Sequence, residues 1–493
     1  MKIASPKLAT ANLNANDEAL LRCKTALEQK ERSDYAGAQE TMRPFWKGVG
    51  EHPTTTGLDP SVAAEVLLCV GTLTSWIGSK NQIRNAQELA KNLITQSITY
   101  FESSRDVTKV AIAQSEIAYC YYREGTLNEA RSWLHEALKK LTFEGAARAR
   151  ALLKLTTVEC SAGRFHEALE LLDDNEALFG KITNHTIKGG YHTELAIILR
   201  NLATIENKPE YFRRAVNEYK EAERQFRLAQ NPIFRADVIN NVGFLLFKLS
   251  RYNEAHKYFN EARRLTVKFK DKARTAQIDE SRAQVLIAEE RLVEAERIAR
   301  RAVSALKQSG HFCMMAEALI TQGIALARLG RTEHARFVFR QAIEAAHQVN
   351  ALNVAGLAAL TLIEEIQELS PEILRAAYRQ AREWLASSQS PDIKLRLADV
   401  ACRVLDSIHT ELSADEATEI LLTEPGGLRA QLEKHEGVVI KRALDQVDGR
   451  VTHAASLLDI RYQSLAYIIE RRHPDLLKKR TPIRRRQRQR NKK

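Results

Sequence analysis

The sequence predicts an all-α protein: a solenoid of helical hairpins, then a small helical domain and a disordered basic tail. Three observations carry that prediction. Alanines recur at a regular interval through the middle of the chain, the segment from Leu428 onward holds almost all of the net charge, and only 11 of 493 residues are proline. With 21 glycines, 44% hydrophobic and 28% charged residues, the composition is that of a folded, helix-rich chain. Its length exceeds what one compact core accommodates, so several domains or an extended array are expected.

Residues 1–16 are polar, with Lys2, Ser5, Pro6 and Lys7 and no apolar run. They are expected to form a flexible N-terminus without the features of a secretory signal. Helical hairpins are readable over residues 17–46, around Tyr35 and Ala36, and over residues 60–103 with longer helices. The most apolar stretch, residues 62–77, is interrupted by Glu65 and falls short of the roughly 20 apolar residues of a membrane span. The chain is therefore read as soluble and cytoplasmic, with no membrane span.

The array proper follows the form small residue, basic, hydrophobic, any, Glu, Ala. Its clear copies are Gly163-Arg164-Phe165-His166-Glu167-Ala168, Ser250-Arg251-Tyr252-Asn253-Glu254-Ala255 and Glu290-Arg291-Leu292-Val293-Glu294-Ala295. Looser copies end at Ala130 and Ala335, and Ala215 marks a degenerate one. From Ala215 through Ala255 and Ala295 to Ala335 the markers are evenly spaced, at a period of about 40, within the range of helical-hairpin repeats. The steps from Ala130 to Ala168 and on to Ala215 are less even. A second alanine follows seven residues later at Ala137, Ala222, Ala262, Ala302 and Ala342, which places both on one helical face. Ahead of each marker runs another amphipathic stretch, as over residues 236–249 and 316–329, closed by Ser250 or Gly330 where the chain reverses. One hairpin cannot bury its apolar face, so the units must stack.

This pattern resembles the tetratricopeptide repeat, whose signature positions are occupied by Val242, Gly243, Leu246, Ser250, Tyr252, Ala255, Phe259 and Ala262, and again by Gly323, Gly330, Ala335, Phe339 and Ala342. The resemblance covers residues 17–410. The period of about 40, against about 34 in the usual repeat, is similar to the longer-helix variants of bacterial regulators and sensors. The resemblance implies a concave groove that receives an unidentified protein, peptide or small-molecule signal. Trp133, Tyr219, Phe259 and Phe339 fall at helical core positions and are expected to pack, so no array residue is assigned to a site.

After a last array helix over residues 391–408, the linker at 411–427 contains Ser413, Thr423, Pro425, Gly426 and Gly427. A domain over 428–475 opens with an amphipathic helix whose apolar stripe is Leu432, Val439, Ile440, Ala443, Leu444 and Val447, stopped by Asp448-Gly449. A short helix from Arg450 to Leu458 and another from Arg461 to Ile469 follow, joined tightly through Asp459-Ile460. Thr452 is placed to cap the first. Ala455 is small where the two cross, and Ile460, Leu465 and Ile469 are expected to share a core with Leu457 and Leu458. The exposed side of the last helix is then Arg461, Tyr462, Gln463, Ser464, Ala466 and Tyr467.

The segment resembles the Fis-type helix-turn-helix on Ala443-Leu444, Gly449, Thr452, Ala454-Ala455, Leu458, Ile460, Leu465 and Ile469. The resemblance implies double-stranded DNA as partner, a homodimer, and base contacts from Arg461, Tyr462 and Gln463 with Ser464 and Tyr467 further along. Arg450, Thr452 and Arg471 complete the candidate DNA-binding set on this domain. Asp459 stands in place of the family's turn glycine, and Ala466 and Glu470 where the family often has basic residues.

Charge supports the same partner. Residues 428–493 hold 18 Lys and Arg against 7 Asp and Glu, a balance of +11, whereas the whole of the preceding chain sits at +1. The tail at 476–493 includes Arg484, Arg485 and Arg486, and a basic arm of this kind releases counterions on meeting phosphates. These features predict a DNA-binding regulatory protein, a bacterial transcriptional regulator associated with the nucleoid. The competing reading is a protein-protein interaction scaffold whose basic tail holds RNA, ribosomes or an anionic membrane without specificity.

No Gly-x-x-x-x-Gly-Lys-Ser/Thr, His-Glu-x-x-His, Gly-x-Ser-x-Gly or Gly-x-Gly-x-x-Gly occurs, so no catalytic, cofactor or metal site is predicted and the chain is read as not an enzyme. Cys23, Cys69, Cys120, Cys160, Cys313 and Cys402 are widely scattered and are expected to be buried free thiols.

Overall fold

At Gln230, Ser250, Lys270, Glu290, Gly310, Gly330 and Asn350 the backbone enters the left-handed region, with φ between 52 and 74°. Each of these residues follows the C-cap of a helix. One position past the left-handed residue, an N–H reaches back to a carbonyl that would otherwise be open: Arg251 to Leu246 (2.8 Å), Arg291 to Leu286 (2.8 Å) and Arg331 to Leu326 (2.9 Å). A side chain at such a φ costs about 1–2 kcal/mol. At Ser250, Lys270 and Glu290 the packing of the flanking hairpins offsets that cost.

The computed structural model describes residues 13–479 apart from 82, 144, 387, 389 and 414–427. In chain order its first helices are α1 (Ala15–Glu31), α2 (Tyr35–Met42), α3 (Pro60–Lys80), α4 (Ala86–Ser103), α5 (Val107–Glu124), α6 (Leu127–Lys140), α7 (Ala146–Ser161), α8 (Phe165–Asp173) and α9 (Glu176–Lys181). They continue as α10 (His185–Ile205), α11 (Pro209–Leu228), α12 (Pro232–Lys248), α13 (Tyr252–Lys268), α14 (Lys272–Ala288), α15 (Leu292–Gln308), α16 (Phe312–Arg328), α17 (Thr332–Gln348), α18 (Leu352–Glu365), α19 (Pro371–Trp384) and α20 (Pro391–Ser413). The chain divides into two compact units, Met1–Leu405 and Asp406–Lys493.

From α12 to α17 every helix has 17 residues, about 25 Å of rise, and every connection has three. Two such helices and two such turns make up the period read from the alanines, so the longer repeat is a tetratricopeptide-like hairpin with longer helices. The marker alanines Ala255, Ala295 and Ala335 are completely buried. Phe259 and Phe339 are also completely buried, each laid over a glycine of the partner helix. A Cβ on Gly243 or Gly323 would come within 2.8 or 2.7 Å of the ring's Cε1. In the repeat between them the same two positions are Ala283 and Ala299, both fully buried. One interface is thus filled in two ways, as glycine against phenylalanine or as alanine against alanine.

Tyr219 is likewise fully buried, and Trp133 is partly buried against the neighbouring core. Helix α3 is long and apolar enough to cross a membrane by length and composition, and 72% of its most apolar window is buried inside the solenoid. The cysteines divide in a way the sequence does not foresee. All six are free, but only Cys23, Cys69 and Cys120 are buried, Cys160 is half-buried, and Cys313 and Cys402 are exposed. The last two sit on helix faces turned away from the stacked interior.

The solenoid returns on itself. Asn231, at the start of α12, donates from Nδ2 to the Glu31 carbonyl oxygen at 2.8 Å, 200 residues away. Arg150 of α7 ion-pairs with the Glu31 carboxylate. The first hairpin is thereby held against the middle of the array, and inner faces of early and late repeats confront each other.

Those inner faces bury acids. Glu280 of α14 is 8% exposed; burial pushes its carboxyl up to about 7, although the Thr321 hydroxyl (2.6 Å) and the Gln284 amide (2.5 Å) both donate to it. Folding therefore raises the pKa above its unfolded value near 4.5. The carboxyl costs nothing below pH 4.5 and progressively more as pH rises through 7. Glu280→Gln, which keeps an oxygen for both donors, is expected to stabilise the chain by about 2 kcal/mol at pH 8 and to leave it unchanged at pH 4.5. Urea midpoints at the two pH values measure this, and an equal shift at both would refute it.

Candidate nucleic-acid interface

The second unit contains α21 (Leu428–Gln446), α22 (Val451–Leu457), α23 (Tyr462–Arg472) and a 3-10 turn at Pro474–Lys479. Asp448 (φ 51°) and Gly449 (φ 75°) reverse the chain after α21, and Asp459 (φ 52°) does so after α22. Aspartate visits this region more readily than most residues, which is why it serves where a glycine is usual. The Ile460 N–H closes α22 on the Ala455 carbonyl at 3.0 Å.

Ile440, Ala443, Leu444, Val451, Ala454, Ala455, Leu465, Ile469 and Leu476 form the core, with Leu444, Ala454, Leu465 and Ile469 completely buried. Ala454 and Ala455 allow α22 and α23 to cross closely. Leu465 and Ile469 take up one side of α23, so the opposite side is left to solvent.

Arg461 is the N-cap of α23 in extended conformation, and no side chain caps that helix. Its first N–H groups are open, the arrangement that suits a phosphate oxygen. Arg461, Gln463 and Ser464 are exposed, as are Tyr462 (39%) and Tyr467 (58%). Arg471, also exposed, places its guanidinium 5.9 Å from the Tyr467 ring centre. All six candidates are exposed along α23 and its N-cap, with Gln463, Ser464, Tyr467 and Arg471 on the side opposite Leu465 and Ile469. Arg450 and Thr452 are exposed at the start of α22. Arg484, Arg485 and Arg486 lie outside the described residues.

Several details differ from the sequence-based expectation. Thr452 does not cap α22: Arg450 holds the N-cap position, no side chain bonds there, and Thr452 lies inside the first turn. Neither Ile460 (37% exposed) nor Leu457 (56%) joins the core: Ile460 follows the left-handed turn residue Asp459, and Leu457 lies on the face of α22 away from buried Val451, Ala454 and Ala455. Leu458 packs against the core from its edge, and Ala466 is half-buried. Val439, assigned to the buried stripe of α21, is 39% exposed beside Val438 at 42%.

Two features had no clear sequence signal. Leu476 in the 3-10 turn is 5% exposed and extends the core beyond α23. Glu436 of α21 accepts from Arg472 at 3.0 Å and lies 3.1 Å from Nε2 of His473, which is 8% exposed. This link ties the end of α23 to α21 and fixes the direction in which α23 is presented. Among the described residues no group of three or more His, Cys, Asp and Glu side chains could hold a metal ion.

A short helix seated on a small apolar core with a polar side open to solvent is a helix-turn-helix, and the protein is of the class that joins such a module to a helical-repeat solenoid. Residues 431–471 match the family described as bacterial regulatory protein, Fis family, and residues 316–347 match the tetratricopeptide repeat. The chain carries a Fis-type helix-turn-helix at its C-terminal end and a tetratricopeptide-type solenoid before it. No curated protein matches the chain.

Among solved structures, a Signal Transduction ATPase with Numerous Domains protein with a tetratricopeptide repeat sensor, from Pyrococcus horikoshii, is similar at 16% identity and a TM-score of 0.46. The match covers 75% of this chain and 55% of that one, so this chain spans little more than half of its length. The quorum sensor NprR from B. thuringiensis is similar at 13% identity and a TM-score of 0.47, over 68% of this chain and 89% of that one. Aspartyl phosphate phosphatase F from Bacillus subtilis is similar at 11% identity and a TM-score of 0.46, over 79% and 95%.

Proposed function

We propose that the protein is a bacterial DNA-binding transcriptional regulator of the nucleoid compartment, in which α23 reads a major groove and the solenoid receives a protein partner or a signal. The observation that carries this reading is the division of α23. Leu465 and Ile469 anchor one side in the core, while Gln463 and Ser464 on the other side and Arg461 at the N-cap are exposed and make no side-chain hydrogen bond among the described residues. An arginine and a glutamine so placed can take the bidentate pairings with guanine and adenine edges. Tyr462, Ser464, Tyr467, Thr452, Arg450 and Arg471 border them and suit phosphate oxygens.

Exposed Val438 and Val439 on α21 offer an apolar surface for a second copy, which would set two half-sites about 34 Å apart. Selection of bound duplexes from a random pool by the full chain tests the proposal. Arg461→Ala is then expected to lower affinity for the selected site by about 1–3 kcal/mol and to relax preference at one base position. Equal losses on selected and random duplexes would instead favour a scaffold with a non-specific basic end.

A further inference from the structure

Lys30, Lys80 and Arg123 form no ion pair among the described residues and lie instead over aromatic rings. The Arg123 guanidinium is 4.1 Å from the centre of Trp76 and 5.0 Å from that of Tyr119. Lys30 Nζ is 5.2 Å from Trp76, and Lys80 Nζ is 5.0 Å from Tyr35. The rings form a column, with Tyr35 and Trp76 centres 6.2 Å apart and Trp76 and Tyr119 centres 5.3 Å apart, both pairs stacked. Cations on ring faces are attracted by the π quadrupole, but that attraction leaves their charge unneutralised.

Tyr35 and Trp76 of this column, with Lys80 and Arg123, are one wall of a cavity of about 560 Å³, and the opposite wall is the inner side of α12, α14 and α16. The closure of the solenoid through Asn231 and Glu31 creates it. Asp237, Asn240, Asp271 and Arg274 line the far wall, where Arg274 bonds to Asp237 at 2.8 Å and to Asp271 at 2.9 Å. The lining therefore carries Lys80, Arg123 and Arg274 against two carboxylates, an excess of one positive charge, with Lys30 behind Trp76. Trp76 Nε1, Arg123 Nε and Asn240 Oδ1, all from lining residues, are buried atoms with no hydrogen-bond partner. Such atoms are normally satisfied, and two in one wall with a third in the wall facing them mark a polar lining that is incomplete without a further group.

We propose that this cavity binds a carboxylate that carries a neighbouring amide N–H and a planar ring. Arg123 and Lys80 would hold the carboxylate, the acceptors of α12 the N–H, and the Tyr35 and Trp76 wall the ring. One negative charge matches the excess in the lining, and the two aspartates disfavour a dianion such as phosphate. The chemistry is shared by an acylated amino acid and by the aromatic C-terminal residue of a peptide. Because the ligand touches both the first hairpins and the middle repeats, its binding stabilises the closed form of the solenoid. The inference rests on the reading of the solenoid as the receiving arm.

Calorimetric titration of the full chain with hippurate and with Gly-Gly-Phe tests it, using hippurate methyl ester and Gly-Gly-Phe amide as neutral counterparts. At least one of the two acids is expected to bind with a Kd of about 1 mM or tighter, and its neutral counterpart about tenfold more weakly. Binding of hippurate alone assigns a small metabolite; binding of the tripeptide alone assigns a peptide C-terminus. Arg123→Met is expected to lose about tenfold in affinity. Lys80→Ala, at an exposed side chain, is expected to weaken binding with the far-UV circular dichroism unchanged. No saturable binding of either acid, equal binding of acid and neutral form, or undiminished binding by both variants overturns the proposal. Duplex binding by the same preparation separates the two readings: sequence-blind contacts remove the regulator and leave the cavity site standing, whereas selective contacts with no acid binding remove only the site.

Discussion

Phe339→Ala is expected to destabilise the solenoid by about 3–5 kcal/mol, because a fully buried ring is replaced by a void between α16 and α17. Gly323→Ala alone is expected to be destabilising as well, since its Cβ would sit 2.7 Å from the ring. The double variant recreates the pair already present as Ala283 and Ala299. It is expected to be more stable than the sum of the single losses predicts, with a coupling of about 1–3 kcal/mol. Urea unfolding of the four proteins measures the cycle. Additive losses would mean that the ring and the glycine are not packed as one unit.

Removing residues 480–493 is expected to have the largest effect on DNA. The deletion takes away eight basic side chains, among them Arg484, Arg485 and Arg486. If all eight meet phosphates, the slope of log affinity against log salt becomes shallower by about 7, so that the fall in affinity between about 50 and 200 mM salt shrinks by about ten-thousandfold. The loss is expected to be the same for a selected and a random duplex, in contrast to Arg461→Ala, because phosphate contacts carry no sequence information. Fluorescence anisotropy over a salt series reads both quantities. An unchanged slope would assign the tail to another role.

Much of the solenoid is legible in the sequence because its contacts are local. Ala255, Ala295 and Ala335 announce the period, and α3 and α4 fall within the hairpin read over residues 60–103. Each hairpin packs on its neighbours in the chain, so a repeating pattern of small and large residues is also a repeating pattern of contacts. In the second unit, Leu465 and Ile469 are readable as anchors from helical spacing. Ile460, Leu457 and Thr452 are not, because the left-handed residue Asp459, the end of α22 at Leu457 and an N-cap at Arg450 decide which way they point. Leu476 and the Glu436, Arg472 and His473 link escape the periodic reading altogether, since they lie in a 3-10 turn or between helices distant in the chain.

By itself the sequence determined the helical repeat, its long period, the helix-turn-helix and the segregation of positive charge, all of which depend on residues close together in the chain. Only the tertiary structure decided that the first hairpin meets α12, that Tyr35 and Trp76 face Asp237 and Arg274 across a cavity, and that Glu280 is buried. Those facts depend on superhelical pitch, the sum of many small rotations between neighbouring hairpins, and no short pattern of residues records that sum.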